Sequence, residues 1–386
     1  MNVGSSNDHI AHSDKNWVER FFSKKINHDP GTKFKYDSDA TYLLSAIIER
    51  KTSKKTMDFL NEKLFSKIGI TKAWTTYSPQ GIACGGWGMN MTTREMARFG
   101  QFYLQEGSWN GKQLLSKDFV RLASSRQTWS GWINVGARAI GTGTDWEQGY
   151  GFQFWRCRPD GVYRADGAFG QFTAVMPHQD AVLSVTAGLN DMQKELNIAW
   201  ENLLPAMSDK PLPEDKASQT KLEKLCSSLG LPKVEGKASG NESAYGTYSV
   251  GKGGKHGRFN FTKVTLSRAA NGWTIALDGE CGVQTIPVGG KDWQYGSIKL
   301  QNIDYEPLGG IIGIQPTAAT GGWTAADRFE AQVYLVGTPG HLNFKFHFNK
   351  GALKFNYHYW GMSASSAELD PADISVDLTE EDEDSN

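Results

Sequence analysis

Cysteine is scarce in this chain of 386 residues: Cys84, Cys157, Cys226 and Cys281 are scattered, without the spacing of a metal site or the density of a disulfide framework. Reduced thiols and no bound metal or other cofactor are the expectation. No run is apolar over the roughly 18 residues a membrane helix needs. The opening Met1-Asn-Val-Gly-Ser-Ser-Asn-Asp-His9 also lacks the apolar centre of a signal peptide. An excess of one charge is missing too. The 41 Lys and Arg residues against 42 Asp and Glu leave a net charge of −1, which argues against a general nucleic-acid binder. Aromatic residues, by contrast, make up 12% and hydrophobic ones 39%, ample for two packed cores at this length.

The segment 28–49 is the most informative part of what is present. A Pro30-Gly31 turn delivers Tyr36 in extended backbone. The run Tyr42, Leu43, Leu44, Ala46, Ile47, Ile48 then predicts a helix too hydrophobic to lie on a surface, which would set the phenol at the lip of a cleft. An ordinary half-buried strand tyrosine is the competing reading. Further on, Thr92 and Glu95 have the spacing of a capping box, and Met96, Phe99, Phe102 and Tyr103 form the apolar stripe of the helix it starts. Residues 107–116 read as a turn and a short connection. Three aromatic and β-branched runs, 149–157, 162–176 and 181–187, are separated by turn signals at Pro159-Asp160-Gly161 and at 177–180, and predict an antiparallel meander.

In chain order these segments resemble the β-lactamase-related serine hydrolases, relatives of class C β-lactamases, D,D-peptidases and certain esterases. Tyr36-Asp37-Ser38 matches their Tyr-x-Asn or Tyr-x-Ser motif. The resemblance implies that Tyr36 is a general base beside a Ser-x-x-Lys nucleophile and that Ser38 stands where class C enzymes carry asparagine. Cys84-Gly-Gly-Trp-Gly88 and the helix after it are similar to the family's glycine-rich loop. Arg164-Ala-Asp-Gly-Ala-Phe-Gly-Gln171 occupies the place of the third motif, Lys-Thr-Gly or His-x-Gly, on the strand that edges the active site.

By that match Ala165 replaces the cation and Asp166 the threonine. Gly167 lets substrate approach the backbone, and the N–H of Ala168 is one oxyanion-hole donor. Without a cation at Ala165 to anchor a substrate carboxylate, the expected substrate shifts from β-lactams toward neutral esters or amides, unless Arg164 or Arg156 substitutes. A plain sheet strand with packing glycines is the alternative for these residues.

The nucleophile is what the match lacks. The chemistry needs Ser and Lys one helical turn apart, and in the family this pair lies upstream of the tyrosine. Here none of Ser5, Ser6, Ser13 or Ser23 has a lysine three positions on. The chain holds only Ser218-Gln-Thr-Lys221 and Ser249-Val-Gly-Lys252, both in the wrong order. The expectation is a hydrolase domain lacking its N-terminal part and inactive by an acyl-enzyme route. Strand faces at Phe152, Phe154, Phe172 and Val175 should then lack partners, leaving the chain marginal, oligomeric or chaperone-bound. A soluble cytoplasmic product is expected, unless an export signal went with the N-terminus.

The organisation reads as α+β. A partial β-lactamase/transpeptidase-like domain of antiparallel sheet and helices covers residues 1–207, closed by a helix near 192–204, and a proline-rich charged linker with a short helix covers 208–240. Period-two patterns then predict an all-β barrel or sandwich over 241–365, similar to the lipocalin-like domain many of these hydrolases carry, followed by an acidic disordered tail over 366–386. Gly246-Thr-Tyr-Ser-Val-Gly251-Lys252 imitates a phosphate loop, but Gly253 stands where Ser or Thr must hold magnesium. His341, His347 and His358 lack the neighbours of a metal site. Three functions follow: a serine hydrolase of small esters, amides or D-amino-acid peptides, a catalytically dead protein holding a small ligand or peptide, or an interaction module in the β-domain. None calls for nucleic acid or membrane.

Overall fold

The computed structural model describes residues 3–6, 10, 14–130, 143–241, 244–250, 261–279, 282–300, 313–349, 352–360 and 374–380. It divides into two compact units, the first running to Pro211 and the second beginning at Leu212.

The first unit mixes helices and strands. Its helices are α1 (Trp17–Phe22), α2 (Ser38–Thr52), α3 (Thr56–Lys63), α4 (Thr93–Leu104), α5 (Lys117–Ser124) and α6 (Met192–Ile198). A two-stranded ribbon pairs β1 (Ser108–Trp109) with β2 (Lys112–Gln113), and β3 (Trp155–Arg156), β4 (Tyr163–Gly167), β5 (Gln171–Met176) and β6 (Ala181–Val185) form an antiparallel meander in chain order. The meander has one strand more than expected. The run 162–176 turns back at Ala168-Phe169-Gly170, where Phe169 (φ 66°) and Gly170 (φ 89°) are both left-handed. Gly170 is the one turn residue in Ala-Phe-Gly, and a lone glycine within an apolar run reads equally well as a bulge.

Both faces of the meander are covered. Tyr163, Val175 and Phe154 pack with Phe102 and Tyr103 of α4, Val120 of α5, and Phe65 and Ile68. On the opposite face Phe172, Ala174 and Met176 pack with Leu196 of α6, Ala199 and Trp200. The expectation of strand faces without partners is therefore corrected at Phe154, Phe172 and Val175, which are all buried; of the four, only Phe152 is exposed.

A third cluster joins Trp17 and Phe21 of α1 to Ala40 and Tyr42 of α2 and to Cys84 and Trp87, with Trp17 lying 5.3 Å from the Tyr42 ring and 5.5 Å from Trp87. The expected all-buried α2 is corrected. It buries Asp39, Ala40, Tyr42 and Ser45, whereas Leu44 and Ile47 are 47% and 53% exposed. A continuous apolar run wraps the whole helix circumference, so only the stripe through Tyr42 can face the core. The buried Asp39 on that stripe is paired with buried Lys24 at 2.5 Å.

In the second unit α7 (Lys216–Ser228) is exposed along its length. Ten strands follow among the described residues: β7 (Gly246–Val250), β8 (Phe261–Ala269), β9 (Gly272–Gly279), β10 (Gly282–Gly289), β11 (Gln294–Leu300), β12 (Gly313–Ala325), β13 (Arg328–Leu335), β14 (His341–Asn349), β15 (Ala352–Trp360) and β16 (Ile374–Glu380). They form one curled sheet in the order β10-β9-β8-β7-β16-β15-β14-β13-β12-β11, and a contact between Gly289 and Thr320 brings β10 against β12. Trp273, Trp323 and Phe329 are buried in it, and the Tyr245 hydroxyl accepts from Trp273 Nε1 at 3.1 Å.

Two boundaries move. Ile374–Glu380 is a strand paired with β15 and β7, so the disordered tail expected from 366 is corrected there; Ile374, Val376 and Leu378 alternate as a strand requires. Lys237 exchanges backbone hydrogen bonds with Trp323 at 2.9 and 3.1 Å, which takes the end of the expected linker into the sheet. His347 pairs with Asp327 at 2.7 Å, and residues 251–253 lie outside the described residues.

The Thr92 capping box is formed, and Glu95 accepts further bonds from the Thr71 and Lys72 N–H groups at 2.7 Å each. Burial pushes the Glu95 carboxyl up, but the N–H groups of Lys72, Thr71 and Thr92 and the Thr92 hydroxyl hold it down at about 2. Glu95→Ala should cost about 2–3 kcal/mol at neutral pH in denaturant melts, by orphaning those donors. Because the folded value is depressed, this stability is present above the ordinary carboxylate range and lost as pH falls toward about 2, so the gap between wild type and variant should close in acid.

Candidate active site

Tyr36 immediately precedes the first helical turn of α2, and its position is fixed by the cap beside it. Asp37 accepts from the Ala40 N–H at 3.0 Å and from the Ser5 hydroxyl, while Lys35 Nζ donates to the carbonyl of Ser5 at 3.4 Å and lies 3.8 Å from Asp37. Ser38 opens the helix. The glycine-rich loop lies against this end of α2: a Cβ on Gly86 would come within 2.4 Å of the Ser38 carbonyl oxygen, and one on Gly85 within 2.3 Å of Ser45 Oγ. Only glycine allows that approach.

The Tyr36 ring stacks on Trp155 of β3 at 5.6 Å and 17°, and meets Tyr150 edge-on at 6.2 Å. Phe34 completes the cluster, 5.3 Å from Tyr150 and 5.8 Å from Trp155. Trp155 and Arg164 are direct partners in the β3–β4 ladder, so their side chains share one face of the sheet. Arg164 is fully buried. Its Nε and Nη2 both lie 2.8 Å from Asp166 Oδ2, its Nη1 donates to the Asp145 carbonyl at 3.0 Å, and its guanidinium rests 4.6 Å from the Trp146 ring. Asp145 is buried as well, and accepts from the backbone and Nε of Arg158, from Trp200 Nε1 and from Gln193 Nε2.

The structure thus brings Tyr36 and Asp166 into one cluster. Tyr36 keeps 44% of its surface open, yet burial, followed by the Asp166 charge, pushes its phenol up to about 12. Near neutral pH it holds its proton and acts as a hydrogen-bonding group. The Asp166 side chain faces the same way as Arg164 and is 9% exposed, whereas Ala165 lies on the other face against the α4 core. β3 pairs only with Tyr163 and Arg164, so among the described residues no strand covers the outer edge of β4 at Ala165, Asp166 and Gly167. The turn carrying the Ala168 N–H is tied by Gln171, whose Nε2 donates to the Ala187 carbonyl at 2.5 Å and reaches those of Ala168 and Phe169 at 3.2 and 3.3 Å.

Neither arginine replaces the missing cation. Arg164 is committed to Asp166, and Arg156 donates to the Ser124 carbonyl at 2.9 Å beneath the Tyr163 ring. Of the two Ser-x-x-Lys matches, Ser218 and Lys221 lie on exposed α7 of the second unit, and Lys252 lies outside the described residues. Sequence reasoning missed Tyr150, Trp155 and Asp145. Tyr150 and Trp155 sit in a run that reads equally well as strand packing, and a lone loop aspartate gives no local signal.

A family model of the β-lactamases matches residues 4–206. Among solved structures, a provisionally named 6-aminohexanoate-dimer hydrolase from Bacillus anthracis is 22% identical with a TM-score of 0.36, the match covering 50% of each chain. A β-lactamase from Mycobacterium bovis is 18% identical with a TM-score of 0.34, over 46% of this chain and 67% of that one. A provisionally named β-lactamase from Bacteroides dorei is 18% identical at 0.35, over 44% and 56%. This chain spans about half the length of the first of these. The family assignment rests on the family match alone.

Arg164→Ala should destabilise the first unit by about 3–5 kcal/mol, because it strands a buried Asp166. Arg164→Lys should recover less than half of that in the same chemical melts, since an ammonium cannot serve Asp166 and the Asp145 carbonyl together.

Proposed function

On the premise that this chain belongs to the β-lactamase family, we propose that its first unit supplies the tyrosine and strand-edge side of a serine hydrolase site for neutral esters, amides or D-amino-acid peptides. The carrying observation is the chain of contacts from Tyr36 through Trp155 and Arg164 to Asp166, beside the open edge of β4. In this reading the open edge pairs with the substrate backbone, Gly167 admits it, and the Ala168 N–H donates to the carbonyl oxygen where negative charge develops. Asp166 contributes through Arg164 and through its field on Tyr36.

The preference for neutral substrates follows from where the cations are. A carboxylate at the edge would meet Asp166 with no cation to answer it, since Arg164 and Arg156 are both engaged elsewhere. Tyr36, at about 12, is protonated near neutral pH and so cannot accept a proton by itself. A cation beside the phenol would lower it, and that is the part a Ser-x-x-Lys lysine would play. Among the described residues no such pair stands next to Tyr36, so in this reading they bind substrate without acylating it. The second unit we read as a lipocalin-like barrel whose interior is filled by its own tryptophans and phenylalanines.

A second reading is a protein that holds a peptide without turnover, which the 44% exposure of Tyr36 beside an uncovered strand edge also supports. Incubation with a fluorophosphonate and with a penicillin, followed by intact-mass analysis, should show no covalent adduct; an adduct on any serine would refute the absence of a nucleophile. A neutral N-acylated D-alanyl amide should quench tryptophan fluorescence, and Tyr36→Ala or Gly167→Val should weaken its binding by about tenfold or more, as loss of one good contact implies. Tighter binding of the corresponding free carboxylate would overturn the neutral-substrate reading.

A further inference from the structure

Glu195 has no part in the site as described, yet it lies directly behind the turn that carries the Ala168 N–H. It projects from α6 toward Gly170, where an added Cβ would come within 2.1 Å of Glu195 Oε2 and 3.0 Å of the Ala187 methyl. Both carboxylate oxygens are enclosed, and among the described residues neither has a hydrogen-bond partner. An ionised carboxylate in that setting costs several kcal/mol unless it finds a donor or water. Burial, then the charge of Asp166, accordingly pushes the Glu195 carboxyl up to about 7.

The charges around it explain why no cation answers it. From β4 it faces Asp166, already paired with Arg164, and beyond that lies Asp145, paired with Arg158. The segment 187–189 offers no titratable side chain, and Asp191 and Lys194 on its own helix are exposed. Arg164 and Arg158 are thus matched by Asp166 and Asp145, and a charged Glu195 would be a surplus anion. The turn it touches is itself conformationally demanding. Phe169 holds φ 66°, a region bulky residues rarely adopt, and the turn is tied to the segment after β6 by the Gln171 amide and by the Leu189 N–H, which donates to the Phe169 carbonyl at 3.1 Å.

We propose that Glu195 is a positioning residue for the turn 168–171: as a neutral acid it packs on Gly170 and seats the turn against α6, and as a carboxylate it moves out to water and releases it. The conformational step stands without the hydrolase reading; its consequence, a displaced Ala168 N–H, rests on that reading. Ionisation would then weaken the oxyanion site without any group touching substrate.

Hydrogen exchange by mass spectrometry on the full chain tests this without substrate or turnover. After correction for the intrinsic pH dependence, exchange in a peptide spanning 167–175 should rise roughly three- to tenfold between about pH 5.5 and about pH 8.5, centred near the Glu195 titration. Glu195→Gln, which keeps the shape and removes the charge, should abolish the rise. Asp166→Asn, which removes the neighbouring anion, should move its midpoint to lower pH. An unchanged rise in Glu195→Gln, a flat wild-type profile, or a midpoint unmoved by Asp166→Asn would overturn the proposal. Should Glu195→Gln not fold, the wild-type profile and the Asp166→Asn midpoint decide the matter between them.

Discussion

A guanidinium with no exposed surface must be neutralised and hydrogen-bonded within the protein, and Arg164 meets that demand through Asp166, the Asp145 carbonyl and the face of Trp146. The partners come from two parts of the first unit. Asp166 is two residues along the same strand, Asp145 and Trp146 lie in the loop before β3, and Asp145 in turn gathers Arg158, Gln193 of α6 and Trp200. One buried charge therefore fixes the loop, the strand and the closing helix relative to one another. Tyr36 is held to the same assembly at one remove, through its stack on Trp155, the ladder partner of Arg164.

That commitment shapes the chemistry of the edge. A cation available to substrate would have to be partly hydrated and loosely held, and Arg164 is neither. Burial pushes the Asp166 carboxyl above the ordinary range, Arg164 opposes that shift, and Asp166 in turn raises the phenol beside it. The site thus has matched ion pairs at its floor and aromatic rings at its wall. In the proposed reading, with no cation left over, such a surface takes neutral acyl groups in preference to carboxylates.

The parts legible in the sequence were those written in local patterns. The capping box at Thr92 and Glu95, the turn at Pro159-Asp160-Gly161, the alternation of the second unit and the Tyr36 segment all encode their structure within a few residues. What escaped depended on distant partners or on unusual local choices. The turn after Gly167 uses Phe169 where a turn-former is expected, and its shape is imposed by Gln171 and the Leu189 N–H from outside. Leu44 and Ile47 reach solvent because Tyr42 and Asp39 decide the inward face of α2, a choice set by Trp17 and Lys24 from another helix. The strand Ile374–Glu380 shows the opposite error: its alternation was readable, and the acidic composition around it outweighed the pattern.

The high protonation threshold of Tyr36 bears most directly on how the unit can work. A general base must release its proton near the working pH, and a phenol at about 12 does so only when a nearby positive charge offsets burial and Asp166. Among the described residues, Arg164 and Arg156 on the strand side are held by acceptors of their own. Of the lysines that precede it, Lys35 is engaged with the Ser5 and Ser6 carbonyls and Lys24 with Asp39, while Lys33 is exposed. In the proposed reading the offsetting charge would come from the lysine of a Ser-x-x-Lys pair. In a Ser-x-x-Lys helix one residue pair would bring both the hydroxyl and the ammonium, so that acylation and the activation of Tyr36 are gained or lost together.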